Sequence, residues 1–586
     1  MGAAEAPESG HALRGACLLA VLLAARAVTL SGRHVPLSIW SPLAYLWQDV
    51  LVAVLFFAVD SRLKRPRVAW PLYAALVGYI ALNVPVTRVL STPLTWTMWR
   101  AARGPLTDAV LHYATFPNLV ALAIPLAVGA ILPLALAPSR IQPGPLVVAS
   151  ALLVVAIGPV ASARVDTRGF HRNAFGALAA TSVSRLAAAG GADDWRVSPD
   201  GTPGEDLSPL RGSMRGRNVV LVILESTGAR HLGLYGGTPD PAPNLTALAR
   251  QAIVFERAYA VYPESIKGLF ATLCSRYPAF DTAPEIYADV PCASLAAALG
   301  AAGYRTALFH SGRFMYLGMT SVIDDRGFDV MEDAGPIGGR FDSSFGVDDA
   351  STVARALRWI DSLQGAGPFF VTYLPTAGHN PYVTNVPGPF RSDQDFWRYM
   401  NALHEGDAAL GALIDGLRAR HLDSRTLFIV FGDHGEAFGE HPGNFAHTLF
   451  IHEENVRVPF VIAAAGAIDG QTRVNRIASL IDTAPTILDL LGLPTEAAHQ
   501  GGSLLRPEPR MALFYTDYAL GWLGVADGCW KFLYDIDSRR SRLFDVCVDP
   551  GEMRDRAGDF ADRAAGYRER VLAWAAAQKD RVSRRQ

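Results

Sequence analysis

Cysteine is scarce in this chain. Its 586 residues hold five, Cys17, Cys274, Cys292, Cys529 and Cys547, and no two stand as a CxxC pair. That spacing gives no support to a zinc ribbon. An excess of charge of either sign is also missing, with a formal net charge of -2 at pH 7, so no nucleic acid is expected as a partner. Apolar residues, in contrast, are plentiful. Half of the chain is hydrophobic and mean hydropathy is positive, which is unusual for a soluble enzyme and points to a membrane part. The length exceeds what one hydrophobic core supports, so two or more units are expected.

Before about Val165, five apolar runs approach the roughly 20 residues that a membrane-crossing helix needs. They are Leu13 to Leu30, Leu43 to Val59, Val68 to Val86, Leu119 to Ala137 and Leu146 to Ala161. A cleaved signal peptide would account only for the first. The most basic loop, SRLKRP with Arg67, joins the second and third runs, and Arg140 lies between the fourth and fifth. The positive-inside rule makes both loops cytoplasmic, and an odd number of spans then puts everything after Ala161 outside. Arg88, Arg100 and Arg103 fall on the outer side of this scheme, in a long loop with Trp96, Trp99 and Tyr113. That loop reads either as an amphipathic segment on the membrane surface or as a plain connection. Arg26 and Asp49 fall within spans, where ionisable groups face the bundle interior and pair. The expected division is a transmembrane domain over 1–165, a Gly-, Pro- and Asp-rich linker over 166–215, a catalytic domain over 216–505 and its small carboxyl-terminal subdomain over 506–586.

From Arg217 onward, strand-like runs alternate with amphipathic helical ones, the pattern of an α/β domain with a mainly parallel sheet. Strands are expected at Asn218 to Ser226, Thr306 to Phe309, Phe369 to Leu374, Leu427 to Phe431 and Pro459 to Ala463. Several end in polar clusters. LFIVFGDHGEAFGEH stops its apolar run at Gly432 and then delivers Asp433, His434, Glu436, Glu440 and His441. The first strand ends on Glu225 and Ser226, and others end at His310 with Ser311 and at Thr376 to His379. Open α/β sheets place their chemistry at the carboxyl ends of the strands, and a carboxylate beside an imidazole is a common ligand pair for a divalent transition metal.

The ordered blocks NVVLVILESTGARHLGLYGG, APNLTALARQAIVFERAYA, a segment ending in RYP, GHNPY, FGDHGEAFGEH, NVRVPFVI and LIDTAPTILDLLGLP together resemble the sulfatase-like branch of the alkaline phosphatase superfamily. Five spans followed by such a domain also resemble the lipoteichoic acid synthases and the lipid A phosphoethanolamine transferases. The resemblance implies an N-terminal all-α transmembrane bundle, an alkaline phosphatase-like α/β domain and a small carboxyl-terminal subdomain. It also implies a metal-bound nucleophile near the start of a helix after the first strand. Counting back from RYP at Arg276 to Pro278 puts Ser265 there, in YPESIKGLFATLCSRYP. The CxPSR signature of formylglycine sulfatases is absent, and so are its Pro and Arg. Sulfatases usually end the first strand with two adjacent Asp, where this chain has Glu225 and Ser226.

The implied ligand set is Glu225, Ser265, Asp433 and His434. Such a set suits zinc or manganese ahead of calcium or magnesium. His379, His441, His447 and Lys267 are the candidate groups for neutralising charge and protonating the leaving oxygen. His379 matches a substrate-site His of the family, and His447 falls where the phosphoethanolamine transferases carry one. His310 and Arg313, in FHSGRFMY, are weaker candidates of the same kind. In the tail, a hairpin turning near Ser538 would bring Cys529 opposite Cys547, and Cys274 with Cys292 is a second possible disulfide; an external compartment permits both.

The function expected is a multi-pass enzyme of the inner (plasma) membrane with a periplasmic or extracellular catalytic domain. It would transfer or hydrolyse phosphorus-containing headgroups through a phospho-serine, with the lipid bilayer, a lipid headgroup donor and a lipid or glycan acceptor as partners. One alternative is a serine-type sulfatase. The other is a non-catalytic membrane-anchored lipid or glycan binding protein, disfavoured because all four implied ligands are present.

Overall fold

The computed structural model describes residues 9–583 apart from 34, 36, 64, 102–106, 137–143, 190–192 and 341–344. Lys64, Arg103 and Arg140, which enter the charge argument for orientation, lie outside the described residues, as does Ala137 at the end of the fourth run. The chain divides into two compact units, the first with residues up to Arg100, Val110–Ser184 and Asp537–Arg540, the second with Ala101–Ala109, Arg185–Ile536 and Ser541–Gln586.

Among the described residues, five helices in the first unit are long and apolar enough to cross a membrane: α1 (Ser9–Leu30), α2 (Ser41–Leu63), α3 (Pro66–Leu90), α4 (Phe116–Leu136) and α5 (Pro145–Arg164). Each covers one of the expected runs. Helix α1 lies innermost, with Cys17, Leu18 and Val21 fully buried among Phe56, Tyr73, Val77 and Ile80. Leu134 on α4 and Leu146 on α5 are 77% and 79% exposed, a surface suited to lipid rather than water. Arg26 and Asp49 pair inside the bundle, Arg26 Nε donating to Asp49 Oδ2 at 2.8 Å while Asn173 Nδ2 donates to Oδ1 at 2.6 Å. Arg14 and Asp60 form a second buried pair. Between α3 and α4, Trp96–Ala101 and Thr107–Tyr113 form short helices, with Trp96 and Trp99 partly exposed.

The stretch read as a linker from its composition is divided between the units. Asn173 N donates to Gln48 Oε1 in the first. In the second, Trp195 is buried in a core beneath the small sheet, and Gly204 and Leu207 donate backbone hydrogen bonds to Pro507 and Leu505. A segment poor in apolar residues is thus held by one large aromatic side chain, by its own backbone and by polar side chains such as Asp200, which accepts from the Tyr567 hydroxyl at 2.9 Å.

The second unit is built on a nine-stranded sheet of order β11-β2-β10-β6-β1-β5-β3-β4, with β9 beside β2. In chain order the strands are β1 (Asn218–Leu224), β2 (Ala252–Tyr259), β3 (Arg305–His310), β4 (Val330–Glu332), β5 (Phe369–Leu374), β6 (Thr426–Gly432), β7 (Ala437–Phe438), β8 (Phe445–Ala446), β9 (Arg457–Val458), β10 (Phe460–Ala463) and β11 (Thr472–Ser479), of which β7 and β8 form a separate ribbon. β1 pairs in parallel with β5 and β6, whereas β10 runs antiparallel between β6 and β2. The continuous apolar runs of β1, β5 and β6 follow from this central position, since both faces of the sheet are covered. Helices α6 (Ser265–Cys274), α7 (Asp349–Ser362) and α8 (Asp395–Ala419) pack around it, the last two burying Trp359, Tyr399 and Leu410 in the main core. A four-stranded antiparallel sheet, β12 (Met511–Thr516), β13 (Trp522–Asp527), β14 (Trp530–Asp535) and β15 (Arg540–Asp545), and helix α9 (Ala561–Ser583) complete the second unit. Cys529 and Cys547 are bonded beside the β14–β15 hairpin, and Cys274 at the end of α6 is bonded to Cys292.

Candidate metal centre and active site

Strands β1 and β6 stand side by side, and their carboxyl ends make the centre. Gly432 allows the approach, because a Cβ there would lie 2.1 Å from the Thr227 carbonyl oxygen. The chain then passes close enough for Asp433 N to donate to Leu224 O at 3.0 Å. Glu225, Asp433 and His434 are all buried, and one ligand atom of each lies within 4.8 Å of the others. Ser226 makes the turn in the left-handed region, φ 52°, with its N–H donating to Asp433 Oδ1 at 2.9 Å and its hydroxyl to Glu225 Oε1 at 2.8 Å. It therefore orients two carboxylates without being one itself.

Helix α6 brings Ser265 to the centre. The Glu264 carboxylate caps it, accepting from Ile266 N at 3.0 Å and Lys267 N at 3.4 Å. Ser265 then stands in the first turn, where orphan N–H groups favour negative charge. Its hydroxyl donates to Glu225 Oε2 at 2.8 Å and lies 3.4 Å from His434 Nε2. All four of the implied ligands meet.

Their electrostatics suit a cation. Burial, followed by repulsion from Glu225, raises Asp433 well above the ordinary carboxylate range. Burial would raise Glu225 too, but the surrounding histidines and the Ser265 hydroxyl outweigh it and hold its carboxyl at about 2. His434 is pushed down to about 3 by burial and then by His447. Its Nδ1 lies 3.1 Å from the Gly435 carbonyl oxygen, which fits an N–H there and a lone pair on Nε2 facing the carboxylates. Two opposed buried carboxylates, a neutral imidazole and a hydroxyl form a donor set that a divalent cation would satisfy.

His447 and His379 flank this centre. The His447 ring lies 4.3 Å from that of His434. Burial lowers its pKa, but Glu436, whose Oε2 is 2.6 Å from its Nδ1, outweighs that and lifts it to about 9. His379, after β5, is close enough for its charge to act on Glu225 and His434, and its ring lies 4.5 Å from Phe345. His310 is buried at the end of β3 and stacks on Phe314.

Two expected residues are otherwise engaged. Lys267 gives its ammonium to both oxygens of Asp517, at 2.9 and 2.8 Å, and sits over the rings of Tyr262 and Tyr515. It ties α6 to the small sheet instead of serving Ser265. His441 turns to a second polar cluster, with Nδ1 2.7 Å from Glu454 Oε1 and its ring stacked 3.7 Å from His452. His452 in turn meets Glu552, which pairs with Lys531. The sequence reasoning assigned no role to Glu264 or Tyr382 and named Glu436 only as part of a motif. A helix-initiating acidic residue before Ser265 was the available signal for Glu264.

Comparison with known proteins agrees with this architecture. Residues 217–493 match the model of the sulfatase family. A Bacillus subtilis (strain 168) protein described as lipoteichoic acid synthase-like YvgJ is 25% identical over 312 residues, 50% of this chain and 50% of its own. Arylsulfatase K of Bos taurus is 29% identical over 212 residues, 32% of this chain and 38% of its own. The matches thus span half or less of these relatives' lengths. In structure, an alkaline phosphatase superfamily protein from Vibrio parahaemolyticus aligns with a TM-score of 0.54 at 22% identity, over 66% of this chain and 91% of that one. The lipoteichoic acid synthase LtaP of Listeria monocytogenes aligns with a TM-score of 0.53 at 17% identity, over 64% and 94%. Members of this superfamily generally use divalent metal ions. Residues 217–493 thus carry a sulfatase-family match, on a fold shared with structures of the alkaline phosphatase superfamily.

Proposed function

We propose that the protein is a membrane-bound, metal-dependent phosphotransferase or phosphodiesterase acting on lipid or envelope-glycan headgroups, with Ser265 as its nucleophile. The observation that carries this reading is the nucleophile position: a serine hydroxyl hydrogen-bonded to Glu225 and facing His434. Cys274, the one cysteine of α6, is spent in a disulfide and cannot supply a formylglycine.

Glu225, Asp433, His434 and Ser265 would hold a divalent cation, zinc or manganese by donor type. When bound, such a cation lowers the pKa of a coordinated hydroxyl and neutralises charge on the phosphoryl oxygens. Ser265, its hydroxyl proton lost to solvent, attacks phosphorus in line through Oγ, forming the Oγ–P bond as the bond to the leaving oxygen breaks. His447, charged at neutral pH, gives that oxygen its proton, and His379 stands on the substrate side. In the second half-reaction an acceptor hydroxyl or water attacks phosphorus, its proton passes to His447, and Ser265 is released.

A serine-type sulfatase is the second reading, favoured by the sulfatase family match. The purified full-length protein decides between them. Turnover of phosphodiesters in preference to sulfate esters is expected, abolished by chelation and restored by zinc or manganese, with Ser265→Ala slower by about 10⁴-fold or more. Preference for sulfate esters, or full activity of Ser265→Ala, would contradict the proposal.

The five helices are taken to sit in the inner (plasma) membrane with the second unit periplasmic or extracellular. Two disulfides in that unit fit an oxidising compartment, and Arg62, Arg65 and Arg67 between α2 and α3 fit the cytoplasmic side.

A further inference from the structure

The short ribbon after His434 is built around a buried acid, and its Glu436 and His447 stand together with His434. β7 and β8 pair with Ala437 opposite Ala446 and Phe438 opposite Phe445. Continuing that register by one residue sets Glu436 against His447. Glu436 is fully buried, and one oxygen lies 2.6 Å from His447 Nδ1 while the other accepts a hydrogen bond from the Tyr382 hydroxyl. Tyr382 is itself buried and belongs to the His379 loop, its N–H donating to His379 O at 2.9 Å. Ala446, the residue before His447, is held at φ 61°, a conformation that costs a non-glycine residue on the order of 1 kcal/mol. The chain accepts that strain where it turns the imidazole onto Glu436.

We propose that Glu436 is the positioning residue for His447 and that Tyr382 anchors it from the substrate side. With Nδ1 fixed on the carboxylate, Nε2 is the nitrogen left to serve the leaving oxygen. The arrangement copies the logic by which a buried carboxylate sets the tautomer and ring orientation of a catalytic imidazole. It also joins three loops, those carrying His434, His447 and His379, through one side chain. This inference rests on the phosphotransfer reading for the identity of the ester and for His447 as the proton donor.

If Glu436 works through proton delivery, its removal matters in proportion to how badly the leaving group needs a proton. The test compares Glu436→Gln, Glu436→Asp and wild type, all full length, on a phospholipid and on bis(p-nitrophenyl) phosphate, whose leaving group departs unprotonated. Expected for Glu436→Gln is a fall of about 10- to 100-fold in kcat on the phospholipid, with KM unchanged. On the nitrophenyl ester the first-turnover release of nitrophenol, which precedes the step in which His447 acts as base, falls by no more than about 3-fold, bound metal per chain is unchanged, and Glu436→Asp recovers part of the loss. His447→Ala shows the same selectivity between the two esters. Equal losses on both esters, or loss of bound metal in Glu436→Gln, would overturn the proposal, the first by making Glu436 a general structural support and the second by making it a ligand. If wild type prefers sulfate esters, the phosphotransfer reading fails by itself, and the same ratio measured on alkyl and p-nitrophenyl sulfates still decides Glu436.

Discussion

The two imidazoles with raised pKa values do different work because they face different partners. His447 looks onto the centre and is held charged by Glu436; His441 closes a second cluster with Glu454, His452 and Glu552. Burial works against both members of the His441–Glu454 pair, and their hydrogen bond outweighs it, raising His441 above 6.5 and taking Glu454 from 4.5 to about 2. The raised histidine contributes stability fully below its unfolded value and loses it as pH rises through the folded one. The depressed carboxyl contributes above its unfolded value and loses it as pH falls toward 2. The pair is therefore worth most between about pH 4.5 and 6.5. His441→Ala is expected to lower Tm more at about pH 5.5 than at about pH 8.5; an equal loss at both would show that the ion pair contributes nothing. Turnover in this variant, measured at neutral pH, stays near that of wild type, because His441 faces Glu454 and not Ser265.

Among the elements, α6 is the one on which most depends. Glu264 starts it, Ser265 stands in its first turn, Lys267 fastens it to Asp517 and Cys274 ends it in a disulfide. Removing one partner of the buried Lys267–Asp517 pair leaves the other charge uncompensated, at a cost of about 3–5 kcal/mol. Lys267→Ala is thus expected to lose stability first, seen as a lower denaturation midpoint, while kcat of the folded fraction falls little; a large kcat loss with unchanged stability would return Lys267 to the reaction. The contrast between Ser265 and Lys267 marks how much could be read beforehand. Strands β1 and β6 were legible because a central parallel strand is a continuous apolar run, and the polar residues at its end are its chemistry. Ser265 was legible through its distance from RYP. The pairing of Lys267 was not legible because its partner lies 250 residues away, and no local pattern reports such a contact. Glu436 escaped a role for a similar reason, since its opposition to His447 depends on a two-residue register.

At the scale of the molecule, the five helices were plain from run length alone. The packing of residues 185–215 was not, because Gly- and Pro-rich composition describes the segment and says nothing of the surface that receives Trp195. The charge between α2 and α3 and the disulfides support the proposed sidedness, under which a phosphatase fused after Ala161 is expected to be active outside the cytoplasm; an inactive fusion would reverse the orientation. The central claim, that Ser265 carries a phosphoryl group in transit, has a more direct measurement. Metal-loaded full-length protein incubated with membrane phospholipid, quenched in acid and digested, is expected to yield the Ser265 peptide bearing a phosphorus-containing group by mass spectrometry, absent in Ser265→Ala. A sulfo group on that peptide from a sulfate ester, or phospholipid turnover with Ser265 never modified, would contradict it.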